Sequence, residues 1–238
     1  MNTLNLLWNN YTFTRKTRLL ISYISLFISV FILIQFSMIP FTNSYEKINV
    51  VEIMSITFSL PFFSTVIFVL FILSCSDMYI SEIQILKIIR LTNRQQLKNI
   101  LISNILFASF IFIVILFIFS FGISVSFIGL SKSFFSISTL KWLIINFIFL
   151  FLCLFILGIL IIIIGLITKK LFIAVTIPII LSFIDSFFSI SFIFKQATIN
   201  VDQIADPLSL IYNSLYLLLL SYALIIALEK IIKKYNFY

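Results

Sequence analysis

The sequence predicts an all-α, polytopic membrane bundle with six transmembrane helices and both termini in the cytoplasm. Three observations predict it. Of the 238 residues, 62% are hydrophobic and only 10% are charged, whereas soluble domains carry about a quarter charged residues. A water-soluble fold of this length has nowhere to hide 30 Phe together with this much Ile and Leu. Six apolar runs, 19–39, 51–74, 100–128, 140–168, 171–194 and 208–228, reach the length of about 20 residues needed to cross roughly 30 Å of hydrocarbon. Finally, twelve of the 16 Lys and Arg residues fall in four clusters at the ends of apolar runs: Arg15/Lys16/Arg18, Lys87/Arg90/Arg94/Lys98, Lys169/Lys170 and Lys230/Lys233/Lys234. Basic residues concentrate in cytoplasmic loops, so this recurrence after every second run sets the orientation. Lys47, Lys132, Lys141 and Lys195 are left for the outer side.

Taken in order, residues 1–18 come first. Leu4, Trp8, Tyr11 and Arg15 share one helical face, which suits an interfacial amphipathic helix leading into the first span. An irregular Asn-rich leader (Asn2, Asn5, Asn9, Asn10) is the other reading. The run 19–39 exceeds the roughly 7–15 apolar residues of a signal peptide, and no small-x-small site follows it. It is expected to stay as a span. Between the second and third runs, residues 76–99 place Lys87, Arg90, Arg94 and Lys98 on one helical face, with Ile80, Ile83, Leu86 and Ile89 along an apolar stripe. The stretch predicts an amphipathic element on the inner leaflet, with Thr92–Asn93 able to split it and cap a second piece. The third and fourth runs are longer than a span needs and are expected to tilt. Pro178 should kink the fifth. The loop at 195–207, with Asp202 and Asp206, is the distinctly acidic external one.

Much chemistry is excluded. The four glycines, Gly122, Gly129, Gly158 and Gly165, lie in or beside spans, and none precedes a Lys-Ser/Thr pair, so nucleotide hydrolysis by a P-loop is not open to this chain. There is no His, the commonest general base and metal ligand. Cys75 and Cys153 lack CxxC spacing and read as small apolar residues. No enzymatic activity, bound cofactor or metal is expected in the chain itself. The net charge of +8 borders spans rather than forming a patch on a soluble domain, so a nucleic-acid partner is not expected and anionic lipid is. Asp185, inside the fifth run, is the candidate intramembrane polar site. It reads either as a proton or ion site, or as a hydrogen-bonding link to a neighbouring helix or a water-filled funnel. Gln35, Asn104, Asn146 and Asn213 read as interhelical links.

Together these features resemble the permease subunit of an ABC-2-type ABC transporter, a family with six spans, an elbow helix and a cytoplasmic coupling helix between the second and third spans. The local match is Ser81-Glu82-Ile83-Gln84-Ile85-Leu86-Lys87-Ile88-Ile89-Arg90-Leu91-Thr92-Asn93-Arg94, followed by Lys98. It is similar to the family pattern of an acid, a Gly-Thr-like turn, a leucine-rich stretch, Pro-x-Ser-Arg and a Lys. Glu82, Arg94 and Lys98 fall at the acid, the Arg and the Lys. Ile83-Gln84 stands where the family has Gly-Thr, and Leu91 where it has Pro.

The resemblance implies that Glu82, Arg90, Arg94 and Lys98 couple the chain to two copies of a separate ATP-binding cassette subunit, which would hold the ATP and magnesium. A second permease copy or a paralogue would complete a central cavity. Size and composition look most like small permeases of Gram-positive bacteria that export, or confer immunity to, bacteriocins and amphipathic peptide toxins, which implies the bacterial plasma membrane. Two alternatives stand beside it: an ATP-independent, proton-coupled carrier built on Asp185, and a non-transporting immunity or sensor partner that sequesters a peptide.

Overall fold

In hydrocarbon a peptide group has no water to bond, so an apolar run long enough to cross must satisfy its backbone internally, and the helix does this within one segment. The computed structural model describes residues 16–38, 50–75, 94–128, 137–187, 193–199 and 206–234. Among these residues all regular structure is helical. The elements are α1 (Lys16–Met38), α2 (Val50–Thr57), α3 (Leu60–Cys75), α4 (Arg94–Ile128), α5 (Ile137–Thr168), α6 (Leu171–Phe187), α7 (Phe194–Ala197) and α8 (Pro207–Lys234). Four segments are long and apolar enough to cross a membrane: Leu19–Ser37, Leu97–Phe127, Ile137–Thr168 and Pro207–Lys234. This is a membrane protein. The residues of the elbow, apart from the start of α1, and residues 76–93 of the coupling segment lie outside the described residues.

The second and fifth apolar runs differ from straight spans, and each difference has a local cause. Pro61 has no N–H to give the carbonyl of Thr57 and its ring crowds that turn. The chain therefore breaks at Phe58–Ser59 between α2 and α3, and Pro61 takes a first-turn position, where a missing N–H costs nothing. A π-helical turn at Phe63–Ile67 follows. The fifth run is helical through Pro178 to Phe187, the last residue described before Ile193. Residues 193–199 then pack back against the bundle, with Ile193, Phe194, Ala197 and Ile199 all buried.

The central helix is α5, which packs against α4, α6, α7 and α8. Most of its surface is buried by these neighbours, while a stripe with Ile144 and Ile148 faces outward. On its outer side α1 lies against α2 and α4. At the α4–α5 crossing, a Cβ on Gly158 would stand 2.5 Å from Ile105 Cγ2, so only glycine allows this approach. The outer helices α1, α6 and α8 turn large side chains outward. Phe36 is 67% exposed, Phe172 78% and Leu219 66%. That surface matches lipid and not water.

Two predictions follow from the crossing. Gly158→Ala should lower stability in detergent by about 1–2 kcal/mol, because overpacking costs about 1–3 kcal/mol and exceeds the gain in helix propensity of at most about 1 kcal/mol. Combined with Ile105→Ala, the loss should be smaller than the sum of the two single losses, a coupling read from a double-mutant cycle of thermal melts. Gly122→Ala, where a Cβ meets nothing within 4 Å, should leave the melt unchanged or slightly raised.

Candidate functional site

Polar side chains are scarce in this bundle, so where they gather is informative. The first gathering surrounds the segment that folds back after α6. Asp185 is 3% exposed. Its Oδ2 accepts the backbone N–H of Ile193 at 2.8 Å and of Phe194 at 2.5 Å. These are N–H groups at the start of α7, which have no partner within that helix. Further along, the Ile199 carbonyl accepts the Trp142 indole N–H at 3.2 Å and the Asn146 amide at 3.3 Å. Asn146 also donates to the Trp142 carbonyl at 3.1 Å, so its amide nitrogen faces two acceptors. Its Oδ1 is buried and meets no donor among the described residues. Phe194 fills the space below, edge-on to Phe63 and Phe68 at 6.1 and 5.3 Å. An acid on α6 and two side chains on α5 thus hold both ends of a buried strip that contains only the single helical turn α7.

The second gathering lies where α6 meets the π-helical turn of α3. Ser182 Oγ donates to the Ser64 carbonyl at 3.2 Å and to the Ile179 carbonyl at 2.8 Å. Ser186 Oγ donates to Ser64 Oγ and to the Ser182 carbonyl. A π turn displaces carbonyls from the regular ladder, and here one of them finds its partner on another helix. Thr57 and Ser120 join α2 to α4 through a 2.7 Å hydroxyl pair. Ser22 donates to the Leu70 carbonyl at 3.0 Å and joins α1 to α3.

The third gathering is charged. Lys98 Nζ meets Glu229 Oε2 at 2.8 Å, and Lys233 Nζ meets Glu229 Oε1 at 2.7 Å. One carboxylate bridges two ammonium groups, tying the first turns of α4 to the last turns of α8. The Lys98 side chain is only 13% exposed.

Of the residues expected to couple the chain to a partner, Glu82 and Arg90 lie outside the described residues. Arg94 opens α4, and Lys98 points into the charged cluster. Asp185 is a backbone acceptor for Ile193 and Phe194 at the fold-back. Asn146 links α5 to that segment. The sequence reasoning missed Trp142, Glu229 and the serine cluster. Glu229 had a signal: it is an acid four residues before Lys233 on a helix. Serines within an apolar run carry no such mark, since most bond the preceding turn of their own helix, as Ser124 does with the Ser120 carbonyl. Among the described residues no group of three or more His, Cys, Asp or Glu could hold a metal ion.

Removing the acceptor tests the role of Asp185. Asp185→Ala would strand two buried N–H groups at about 1–3 kcal/mol each. A clear drop in melting temperature and faster hydrogen exchange at the Ile193 and Phe194 amides are expected. Asp185→Asn keeps an acceptor oxygen and should fall between. An Asp185→Ala protein that melts with the wild type would remove the carboxylate from this structural role. No family model matches the chain, and no curated protein or solved structure is significantly similar to it.

Proposed function

We propose that this chain is a transmembrane permease subunit of an ATP-driven transporter of the ABC-2 type, moving apolar or amphipathic peptides across a bacterial plasma membrane. In this reading the chain crosses six times, α2 and α3 together forming the second passage and α6 with its fold-back the fifth. Both termini and the basic clusters face the cytoplasm, and ATP is hydrolysed on two separate ATP-binding cassette subunits. A second copy or a paralogue completes the pathway.

The single observation that carries the reading is the charged cluster at the base of α4. The segment 76–93 enters α4 at Arg94, and one turn later Lys98 is joined to Glu229 and Lys233 of α8. A displacement of that segment by a docked ATPase would therefore move two long helices together. In addition, α3 carries a π-helical turn to which hydroxyls of α6 donate, and irregular turns of this kind often mark functional positions in a helix. The aromatic-rich interior suits apolar cargo. The proton-carrier alternative rests on Asp185, and its carboxylate is already engaged by two backbone N–H groups.

Affinity purification of the chain from its native membrane in mild detergent, followed by mass spectrometry, tests the proposal. A stoichiometric soluble partner with a P-loop is expected. Purification without one, from cells that the chain still protects, would favour the sequestering reading. In the assembled complex, Arg94→Glu should abolish coupling of ATP hydrolysis to transport while the melt stays near wild type. Lys98→Ala should lower coupled transport several-fold. It should leave the melt near wild type, because Glu229 keeps Lys233 as a partner. Transport unaffected by both changes, with the ATPase still bound, would overturn the proposal.

A further inference from the structure

Two apolar grooves flank the half of α4 remote from the charged cluster, sharing Ile118 as a common ridge. One, of about 360 Å³, lies between α1 and α4 beside Phe27, Phe31 and Phe119. The other, of about 460 Å³, lies between α2, α4 and α5 and is lined by Met54, Phe117, Phe121, Leu143, Ile144 and Phe147 with Ile118. The second groove has no polar side chain in its wall. Its two rims, Ile118 and Ile144, are 59% and 60% exposed, so it opens toward the lipid side of the bundle. Its walls are also fixed. Phe58 stacks on Phe117 at 4.5 Å, and Phe147 meets Phe117 edge-on at 5.4 Å. Rings locked in this way do not fold inward to fill the space.

What separates the grooves is a charge. Lys141, exposed near the start of α5, stands one turn above Ile144 on the outward stripe Lys141, Ile144, Ile148. No described carboxylate pairs with it. A Lys in this position lays its stem along apolar surface and carries its ammonium to the headgroup level. The α1–α4 groove has no Lys or Arg on the parts of α1 and α4 that wall it.

We propose that the α2–α4–α5 groove holds one acyl chain of an anionic phospholipid whose phosphate rests on Lys141. The hydrocarbon enters between Ile118 and Ile144 and lies against the Phe117 and Phe147 rings. The ammonium adds a preference for an anionic headgroup that the apolar wall cannot supply. The site requires only that α4 and α5 lie in lipid, and it stands apart from the transport reading.

The test is photo-crosslinking of the full-length protein in lipid nanodiscs with two probes of identical diazirine-bearing acyl chains, phosphatidylglycerol and phosphatidylcholine, mapped by peptide mass spectrometry. Peptides containing Phe117, Phe121 or Ile144 should be labelled about five-fold more by phosphatidylglycerol, the effect of one Lys near a membrane surface. Lys141→Gln should abolish that preference. Ile144→Trp, which fills the mouth of the groove, should reduce labelling by both probes. Equal labelling of the wild type by the two lipids, a preference that survives Lys141→Gln, or crosslinks from the groove to a second copy of the chain would each overturn the proposal. Because Lys141 is exposed, its variant is expected to fold, so the headgroup comparison decides even where Ile144→Trp does not.

Discussion

A buried peptide group inside a lipid-facing bundle must find its partner in the protein, and the segment 193–199 is where this constraint is hardest to meet. Helices satisfy it within themselves. A fold-back strip cannot, because its first N–H groups and its trailing carbonyls have no neighbours along the chain. Here Asp185 supplies the acceptor at one end, and Trp142 with Asn146 supplies the donors at the other. The remaining contacts are packing: Phe194 against Phe63 and Phe68, and Ala197 with no exposed surface at all. Removing those few polar atoms would strand buried N–H and C=O groups in an element that lies against α5, α6 and α8.

The same constraint explains the distribution of serine and threonine. Most of them donate to a carbonyl three or four residues earlier on their own helix, as Ser29, Thr168 and Thr176 do, which hides the hydroxyl without adding a tertiary contact. A minority reach across. Ser22, Thr57, Ser182 and Ser186 each connect two elements. Three of these four links involve α3 or its π-helical turn. The helix with the least regular backbone thus receives three of these four links, and one of them, from Ser182 to the Ser64 carbonyl, answers a carbonyl of the π-helical turn.

How much of this was legible in the sequence depends on which force governs each element. Where burial of an uninterrupted apolar run decides, as in α1, α4, α5 and α8, the runs 19–39, 100–128, 140–168 and 208–228 locate the helices directly. Composition alone does not show where a run is broken. Pro61 was a visible signal for the break before α3, since proline removes a donor wherever it stands. The end of α6 was less visible. Asp185 marked the region as costly, but only the fold reveals that its acceptor serves backbone N–H groups eight and nine residues further on. A carboxylate that caps a distant turn and one that carries a proton look alike in sequence. Lys98 shows the same ambiguity in charge: read as part of a basic face, it is spent on Glu229 within the chain.

That use of Lys98 changes what the basic face between the second and third runs can do. A lysine held between two helices cannot also bind a partner freely, so in the proposed transporter docking would fall to the residues before it. The two oxygens of Glu229 are divided between α4 and its own helix. Charge-assisted hydrogen bonds of this length are the stronger kind, so the joint ties α4 to α8 more firmly than neutral contacts would. The opposite half of α4 is bounded by grooves, aromatic contacts and the Thr57–Ser120 hydroxyl pair, with no ion pair among the described residues. The long α4 is thus held by charge at one end and by apolar contact and one hydroxyl pair at the other, with the Gly158–Ile105 contact between them.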